Sequence, residues 1–445
     1  MSSILITGHT IDATIAMARS HAPALAPTDS LFIIADNEYD GNGNVSRTFL
    51  DVIEQCCGMG LSYVNTIVFP DSRPTGRTDN VRYIVWLCRD PELMRFNKDA
   101  IREKHIWKDV EWGHRAKNYN PAGKDPGNVW IPTLDDGRGH ITDHILLSEA
   151  EVIQRLEAMT EGDLRHICGP GAPQQMPRHD GSSDTGECQE PQPGARSAKV
   201  VWGTAENMDR IASGSVKTVV TSPPYWNLKD YFKKGQIGQE DYTSYLKRMA
   251  RVWSECHRIL RPDGSLWINI NIRRIGGKPC LMPLDFIRQC TAMGFMLRGI
   301  LIWHKSSGIP TGSKNIVDRH EYVLAFTKSP ASGFSADAFR QFADYRNPDI
   351  NGGFFWNINR KAGSVGKKYI HPAIFPTALV DRVVQVSSAP GDLVVDPFLG
   401  SGTSLISAAN LGRDFIGYEY NEGFRPLMES RFRSDAPGIN VDFLP

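Results

Sequence analysis

Two short stretches carry residue types whose spacing could do chemistry. The first is Thr221-Ser222-Pro223-Pro224-Tyr225-Trp226, which directly follows the apolar run VKTVV. Successive prolines fix the backbone and remove two N–H donors. The turn therefore presents carbonyls and the Ser222 hydroxyl, with the Tyr225 ring beside them. Such acceptors suit an exocyclic amino group, a poor nucleophile because its lone pair is delocalised into the ring. Holding its hydrogens shifts density onto the nitrogen and orients it. An aromatic face can hold a base taken out of its stack, worth ~1–3 kcal/mol per base. Read alone, the stretch is equally a proline-stiffened loop.

The second stretch is Val394-Val395-Asp396-Pro397-Phe398-Leu399-Gly400-Ser401-Gly402-Thr403. An apolar strand runs into a turn with two glycines and then into the helical pattern SLISAANLG. Glycines let a ligand approach the backbone, and a helix N-terminus favours negative groups. A further strand ends at Glu419 in FIGYEYN, where a nucleoside ribose would be held through its hydroxyls.

Alternating elements must position these residues. Strands are expected at Val200–Trp202, Val216–Thr221, Ser265–Asn269, Ile300–Trp303, Tyr322–Phe326, Leu393–Asp396 and Phe415–Tyr418. Tyr242–Leu260 carries Tyr245, Leu246, Met249, Val252, Trp253 and Ile259 at helical spacing, and Arg261-Pro262-Asp263-Gly264 reads as its stop. Alternation of this kind predicts a largely parallel sheet covered by helices.

The chain has 445 residues, enough for two domains, and 50 basic residues balance 50 acidic ones. Nucleic acid is neither indicated nor excluded by that balance, because phosphates need a local basic stripe. Eight cysteines are scattered without metal spacing, so no metal site is expected and the thiols read as reduced. The start, Met-Ser-Ser-Ile-Leu, has no signal-peptide pattern, and no apolar run reaches membrane length. A cytoplasmic protein is expected.

Pro, Gly, Ser and Gln dominate Cys168 to Lys199, which reads as a flexible linker. Its two sides echo each other. SLFIIADN from Ser30 parallels SLWININ from Ser265, and LDVIEQCCGMGL from Leu50 parallels LDFIRQCTAMGF from Leu284. Pro74-Thr75-Gly76 parallels Pro310-Thr311-Gly312, and RYIVWL from Arg82 parallels HEYVLAF from His320. The order is kept, which favours duplication. Expected units are a degenerate lobe over 1–165, a linker over 166–198 and a catalytic domain over 199–445. The first lobe lacks the paired prolines, and none of its Gly-x-Gly triplets, such as Gly41-Asn42-Gly43, follows a strand ending in Asp-Pro. It reads as a structural or DNA-recognition lobe.

The pair SPPYW and DPFLGSGT, in that order, resembles the amino-directed DNA methyltransferases of restriction–modification systems, class beta. HPAIFP from His371, IWHK from Ile302, HEYVLAFTK and GTAENM from Gly203 fit the same pattern, over nearly all of Lys199 to Phe432. Thr204 stands where that family usually has Asp. The resemblance implies an α/β, Rossmann-like S-adenosylmethionine-dependent fold. It implies that Ser222, Pro223, Pro224 and Tyr225 bind and activate a base flipped from double-stranded DNA, Pro223 through its carbonyl. It implies that Asp396, Phe398, Gly400, Gly402, Thr403 and Glu419, with Ala205 and His371, bind S-adenosylmethionine. In this family SPPY usually accompanies N4-cytosine and DPPY or NPPY N6-adenine, so N4-cytosine is expected and N6-adenine is the alternative. An RNA or protein amide methyltransferase and an inactive DNA-binding protein are further readings. A cognate endonuclease would be a functional partner without a stable complex. Lys229, Lys233, Lys234, Arg273, Arg274, Lys367 and Lys368 are candidate DNA contacts, each equally readable as a solvated loop charge.

Overall fold

The protein is described by a computed structural model that covers residues 2–71, 79–103, 122–135, 141–161, 163–169, 197–227, 233–305, 315–330 and 376–445, with parts of 338–370. Two sheets dominate. The first holds β1 (Ser3–Thr7), β2 (Ser30–Ala35), β3 (Ser62–Pro70), β4 (Val81–Cys88) and β5 (Leu164–Cys168). The second holds β6 (Ala198–Trp202), β7 (Val216–Thr221), β8 (Leu260–Ile270), β9 (Met296–His304), β10 (His320–Thr327), β11 (Phe355–Asn357), β12 (Leu393–Asp396), β13 (Asp414–Glu419) and β14 (Val441–Leu444).

The second sheet has the order β11-β9-β10-β8-β7-β12-β13-β6-β14. Only β10 runs against its neighbours, so the sheet is parallel elsewhere. Its central strands are buried on both faces, as their unbroken apolar runs require. Chain leaving β12 passes through α7 (Thr403–Asn410) to β13 on one side. Chain leaving β7 passes through α4 (Tyr242–Ile259) to β8 on the other. The strand order therefore reverses between β7 and β12, the crevice where open α/β sheets bind ligands. This is a doubly wound, Rossmann-like α/β fold.

Helix α4 is capped by Asp241, whose side chain accepts from Ser244 N, and buries Tyr245, Met249, Val252, Trp253, Cys256 and Ile259 on one face. The expected turn after it is a correction. Arg261–Gly264 lies inside β8, where the pairing with β7 slips between Val216 and Thr218. An irregularity absorbs Pro262 without ending the strand. Helices α5 (Met282–Ala292), α6 (Thr377–Ser387) and α8 (Arg425–Asp435) complete this half.

The first sheet has the order β3-β4-β2-β1-β5, with β4 antiparallel to its neighbours and β1 parallel to β2 and β5. The order and directions match β9-β10-β8-β7-β12 of the second sheet. Even the irregularities agree. Register slips between Tyr63 and Asn65 in β3, and between Leu297 and Gly299 in β9. Val68 bridges Val129 in parallel, as Ile302 of β9 pairs with Phe355 of β11. Helices α1 (Ile11–His21), α2 (Phe49–Gly58) and α3 (Glu149–Met159) flank this sheet. The first unit extends past the expected boundary at 165, because β5 continues to Cys168 in pairing with Thr7. Residues 170–196 of the expected linker lie outside the described residues, as do Pro74–Gly76 and Pro310–Gly312.

One apolar core runs through both halves, from Ile33, Phe49 and Tyr83 to Ile300, Tyr322 and Val395. A second core lies under α3 around Trp86 and Trp130. Among the described residues no helix is long and apolar enough to cross a membrane.

Candidate active site

The two chemical stretches meet at the crevice between β7 and β12. Thr221 at the end of β7 donates its hydroxyl to Asp396 Oδ1 at 2.8 Å. Phe398 N donates to the same oxygen at 2.9 Å, and Ser404 Oγ to Asp396 Oδ2 at 2.5 Å. One buried carboxylate thus ties the proline loop to the glycine turn. Burial pushes its pKa up to about 6, against those three hydrogen bonds. Asp396 faces inward and is occupied by the protein, so its part is to fix the turn.

Below the proline loop lies a polar cluster that sequence reasoning missed. Tyr225 OH donates to Glu321 Oε2 at 3.1 Å, and Asn269 Nδ2 donates to the same oxygen at 2.7 Å. Lys305 Nζ pairs with Glu321 Oε1 at 2.5 Å and is itself buried. Burial pushes the Glu321 carboxyl up, but the Lys305 ammonium and the three hydrogen bonds outweigh it and hold the group below its ordinary value. Asn269 Nδ2 also lies 3.5 Å from Ser222 Oγ. Asn269 Oδ1 is buried with no hydrogen-bond partner among the described residues. Tyr245 OH from α4 donates to the Pro224 carbonyl at 2.9 Å, so that carbonyl is engaged. Trp226 Nε1 donates to Glu240 O at 2.6 Å and pins the far side of the loop. The available signal was Glu321 inside the apolar strand HEYVLAFT, where a charge needs a partner.

The glycine turn is shaped by its own contacts. Gly400 and Gly402 both have positive φ, 54° and 85°. A Cβ on Gly402 would stand 2.6 Å from Phe432 Cε1 of α8. Glycine is required there by the packing of α8. Thr403 also turns inward, and Arg431 Nη1 donates to its Oγ1 at 2.8 Å and to Ser401 O at 2.9 Å. Arg431 is fully buried and braces the turn from beneath, a role the sequence did not signal. Glu419 Oε2 accepts from Gly400 N at 2.8 Å and Oε1 from Asn421 N at 2.8 Å. Burial pushes its pKa up to about 7, with Asp396 adding to the rise and the backbone bonds opposing it. Gly203 N donates to Glu419 O at 2.9 Å, which brings the GTAENM loop and buried Ala205 beside the turn. Thr204 Oγ1 donates to Glu206 Oε2 at 3.1 Å, and Glu206 pairs with Arg248 at 2.6 Å.

The basic candidates divide. Lys233 Nζ donates to Tyr420 O at 2.7 Å and lies 4.8 Å from the Tyr420 ring centre. Arg273 Nη1 donates to Trp226 O at 2.7 Å, and Arg274 stands 5.3 Å over the Tyr63 ring. Lys234 is exposed. Lys229, Lys367, Lys368 and His371 lie outside the described residues. A cavity of about 320 Å³ lined by Lys217, Arg261, Asp263 and Thr327 lies at the opposite ends of the strands, away from this chemistry.

The profile of the DNA methylase family matches residues 216–430. The type II methyltransferase M.Cfr9I of Citrobacter freundii is 33% identical over 268 residues, covering 52% of this chain and 85% of the relative. M.SmaI of Serratia marcescens is 32% identical over 295 residues, 58% of this chain and 98% of the relative. Among solved structures, the Thermus thermophilus protein TTHA0409 in complex with S-adenosyl-L-methionine is 30% identical, with a TM-score of 0.42 over 56% of this chain and 100% of the other. The cytosine-N4-specific PvuII DNA methyltransferase is 21% identical, with a TM-score of 0.45 over 54% and 89%. With a pinned proline loop and a glycine turn at the switch point of this sheet, and with relatives matched over most of their length, the chain belongs to the DNA methylase family that includes the type II methyltransferases, and it is a DNA methyltransferase using S-adenosylmethionine.

Proposed function

We propose that this enzyme methylates N4 of cytosine in double-stranded DNA, with residues 199–445 as the catalytic unit. The Thr221–Asp396 hydrogen bond, which holds the proline loop against the glycine turn, supports methyl transfer, and the neutral Ser222 in Ser-Pro-Pro-Tyr is what favours cytosine. The residues at the turn fit the cofactor. Glu419 Oε2 accepts from Gly400 N and Oε1 from Asn421 N, and a carboxylate has lone pairs beyond these for ribose hydroxyls, while the backbone of Phe398 to Gly402 and of Ala205 would line the rest. When bound, S-adenosylmethionine supplies a methyl group on a sulfonium.

The protein's own residues prepare the nucleophile. Ser222 Oγ and the Pro223 carbonyl accept the two amino hydrogens and direct the nitrogen lone pair at the methyl carbon. Asn269 Oδ1 is a further acceptor beside Ser222. The Tyr225 ring stacks on the flipped base, and its hydroxyl is fixed by Glu321. On accepting the methyl group, the base nitrogen would take over the positive charge that the sulfonium gives up. That nitrogen becomes acidic enough to lose its proton to water. The neutral Ser222 hydroxyl needs no role as a base.

On this reading the enzyme works in the cytoplasm and protects DNA from a cognate restriction endonuclease without a stable complex. Lys234 is the remaining described lysine of the set free to meet phosphate. Transfer of labelled methyl groups to duplex DNA tests the assignment. Ser222→Ala should lower the transfer rate about 10- to 100-fold and change DNA affinity far less, because the bond matters most in the transition state. An unaltered rate would remove Ser222 from the mechanism.

A further inference from the structure

We propose that the chain is a covalently joined pseudo-dimer, in which the N-terminal lobe occupies the face that a second catalytic lobe would otherwise take. Matching strand order alone would show only a common ancestry. The contacts between the lobes show more, because they are reciprocal.

The shared register gives the correspondences. Asn80 precedes β4 as Arg319 precedes β10, and Tyr83 matches Tyr322. Thr66 matches Ile300, and Gly127 matches Gly353, each two residues before the parallel bridge. Glu54 in LDVIEQ matches Arg288 in LDFIRQ.

Each contact then occurs twice. A Cβ on Gly353 would stand 2.2 Å from Asn80 Oδ1, and a Cβ on Gly127 would stand 2.5 Å from Arg319 Cδ. Phe354 N donates to Asn80 Oδ1 at 3.0 Å, while Arg319 N donates to Asn128 Oδ1 at 2.8 Å. Tyr83 OH donates to Ile300 O at 3.3 Å, and Thr66, the counterpart of Ile300, lies within reach of Tyr322 and lowers the pKa of its hydroxyl, against the burial that raises it. In the hairpin of Glu38–Tyr39 and Val45–Arg47, Asn44 Oδ1 accepts from Arg298 Nη1 of β9 at 2.8 Å, and the hairpin of Arg273–Ile275 and Lys278–Cys280 lays Arg274 over Tyr63 of β3. Finally, Glu54 and Arg288 occupy one and the same helical position and meet each other, in two bonds of 2.6 and 2.7 Å. A residue that meets its own counterpart lies on the axis of an isologous interface.

The axial pair also sets specificity. Two catalytic lobes joined this way would place Arg288 against Arg288, and two N-terminal lobes Glu54 against Glu54. Like charges at that point disfavour both self-pairings and favour the mixed one. The copied crevice is closed to chemistry. Thr7 stands at the register position of Ser222 and His166 at that of Asp396, and Thr7 Oγ1 and His166 Nε2 bond each other at 2.7 Å. The protein therefore works as a monomer with one catalytic centre.

Two measurements on the full chain test this. Sedimentation velocity across a wide concentration range should give a monomer throughout, and a concentration-dependent dimer would overturn the claim that the face is filled. Glu54→Arg and Arg288→Glu should each lower the melting temperature by placing like charges on the axis. The double exchange should recover most of the loss. Losses that simply add in the double variant would show that the two positions do not face each other, and would end the axial argument.

Discussion

At the level of single residues, the candidate site depends on carboxylates held in different states. Glu419 is pushed up to about 7, so the folded protein binds its proton more tightly than the unfolded chain does. The stability this lends is complete below the unfolded value and is lost as pH rises through about 7. With Glu419 proposed as the ribose acceptor, cofactor binding would have the opposite need, because the ionised form is the better acceptor for hydroxyls. We predict that affinity for S-adenosylmethionine, measured by calorimetry, weakens up to about tenfold between roughly pH 8 and pH 6. Glu419→Gln should bind weakly with a flat profile. A flat profile in the unaltered enzyme would take Glu419 out of the cofactor site. Glu321 is held ionised instead, by Lys305. Tyr225→Phe keeps the ring and removes only its bond to Glu321, so base retention should fall by about 1 kcal/mol. Tyr225→Ala loses the stack as well and should cost about 1–3 kcal/mol more. Fluorescence of an extruded base analogue measures both, and equal losses would deny the stacking role. The placement of Ser222 and Glu419 at the crevice was legible because motif and strand position expose it. Lys305, Asn269 and Arg431 were not, because their work depends on partners brought together only by the sheet.

The elements show why the glycine turn tolerates so little change. The motif alone suggests that a bulky residue at 402 blocks the cofactor. The structure gives a different reason, since the missing Cβ points at Phe432. Gly402→Ala should therefore destabilise the fold itself, by about 1–3 kcal/mol through backbone strain and collision. Gly402→Ala combined with Phe432→Leu should recover part of that loss in a thermal melt. No recovery would place the whole cost in the positive φ. Strands were easy to read here, because buried parallel strands are continuous apolar runs. The end of α4 was misread, because Arg-Pro-Asp-Gly has turn chemistry and only pairing with β7 keeps it in β8. The two-stranded hairpins were also hidden, since Arg273–Ile275 and Lys278–Cys280 are too short for a period to appear.

The whole molecule joins two sheets of the same design through one core, and only one of them carries both chemical stretches. The echo between the halves was visible in sequence because buried strands and the α2 and α5 faces keep their pattern. The reciprocal contacts were not, because they involve Asn80, Gly127, Arg319 and Gly353, isolated residues with no pattern of their own. DNA recognition was the least legible part. Lys233 and Arg273, chosen for their charge, also donate within the protein, to the carbonyls of Tyr420 and Trp226. The central claim is that Ser222, Pro223 and Tyr225 present cytosine N4 to the methyl group. Duplex DNA methylated by the protein should be digested to nucleosides and separated by mass spectrometry. The account predicts N4-methylcytosine as the product. N6-methyladenine as the sole product would contradict it.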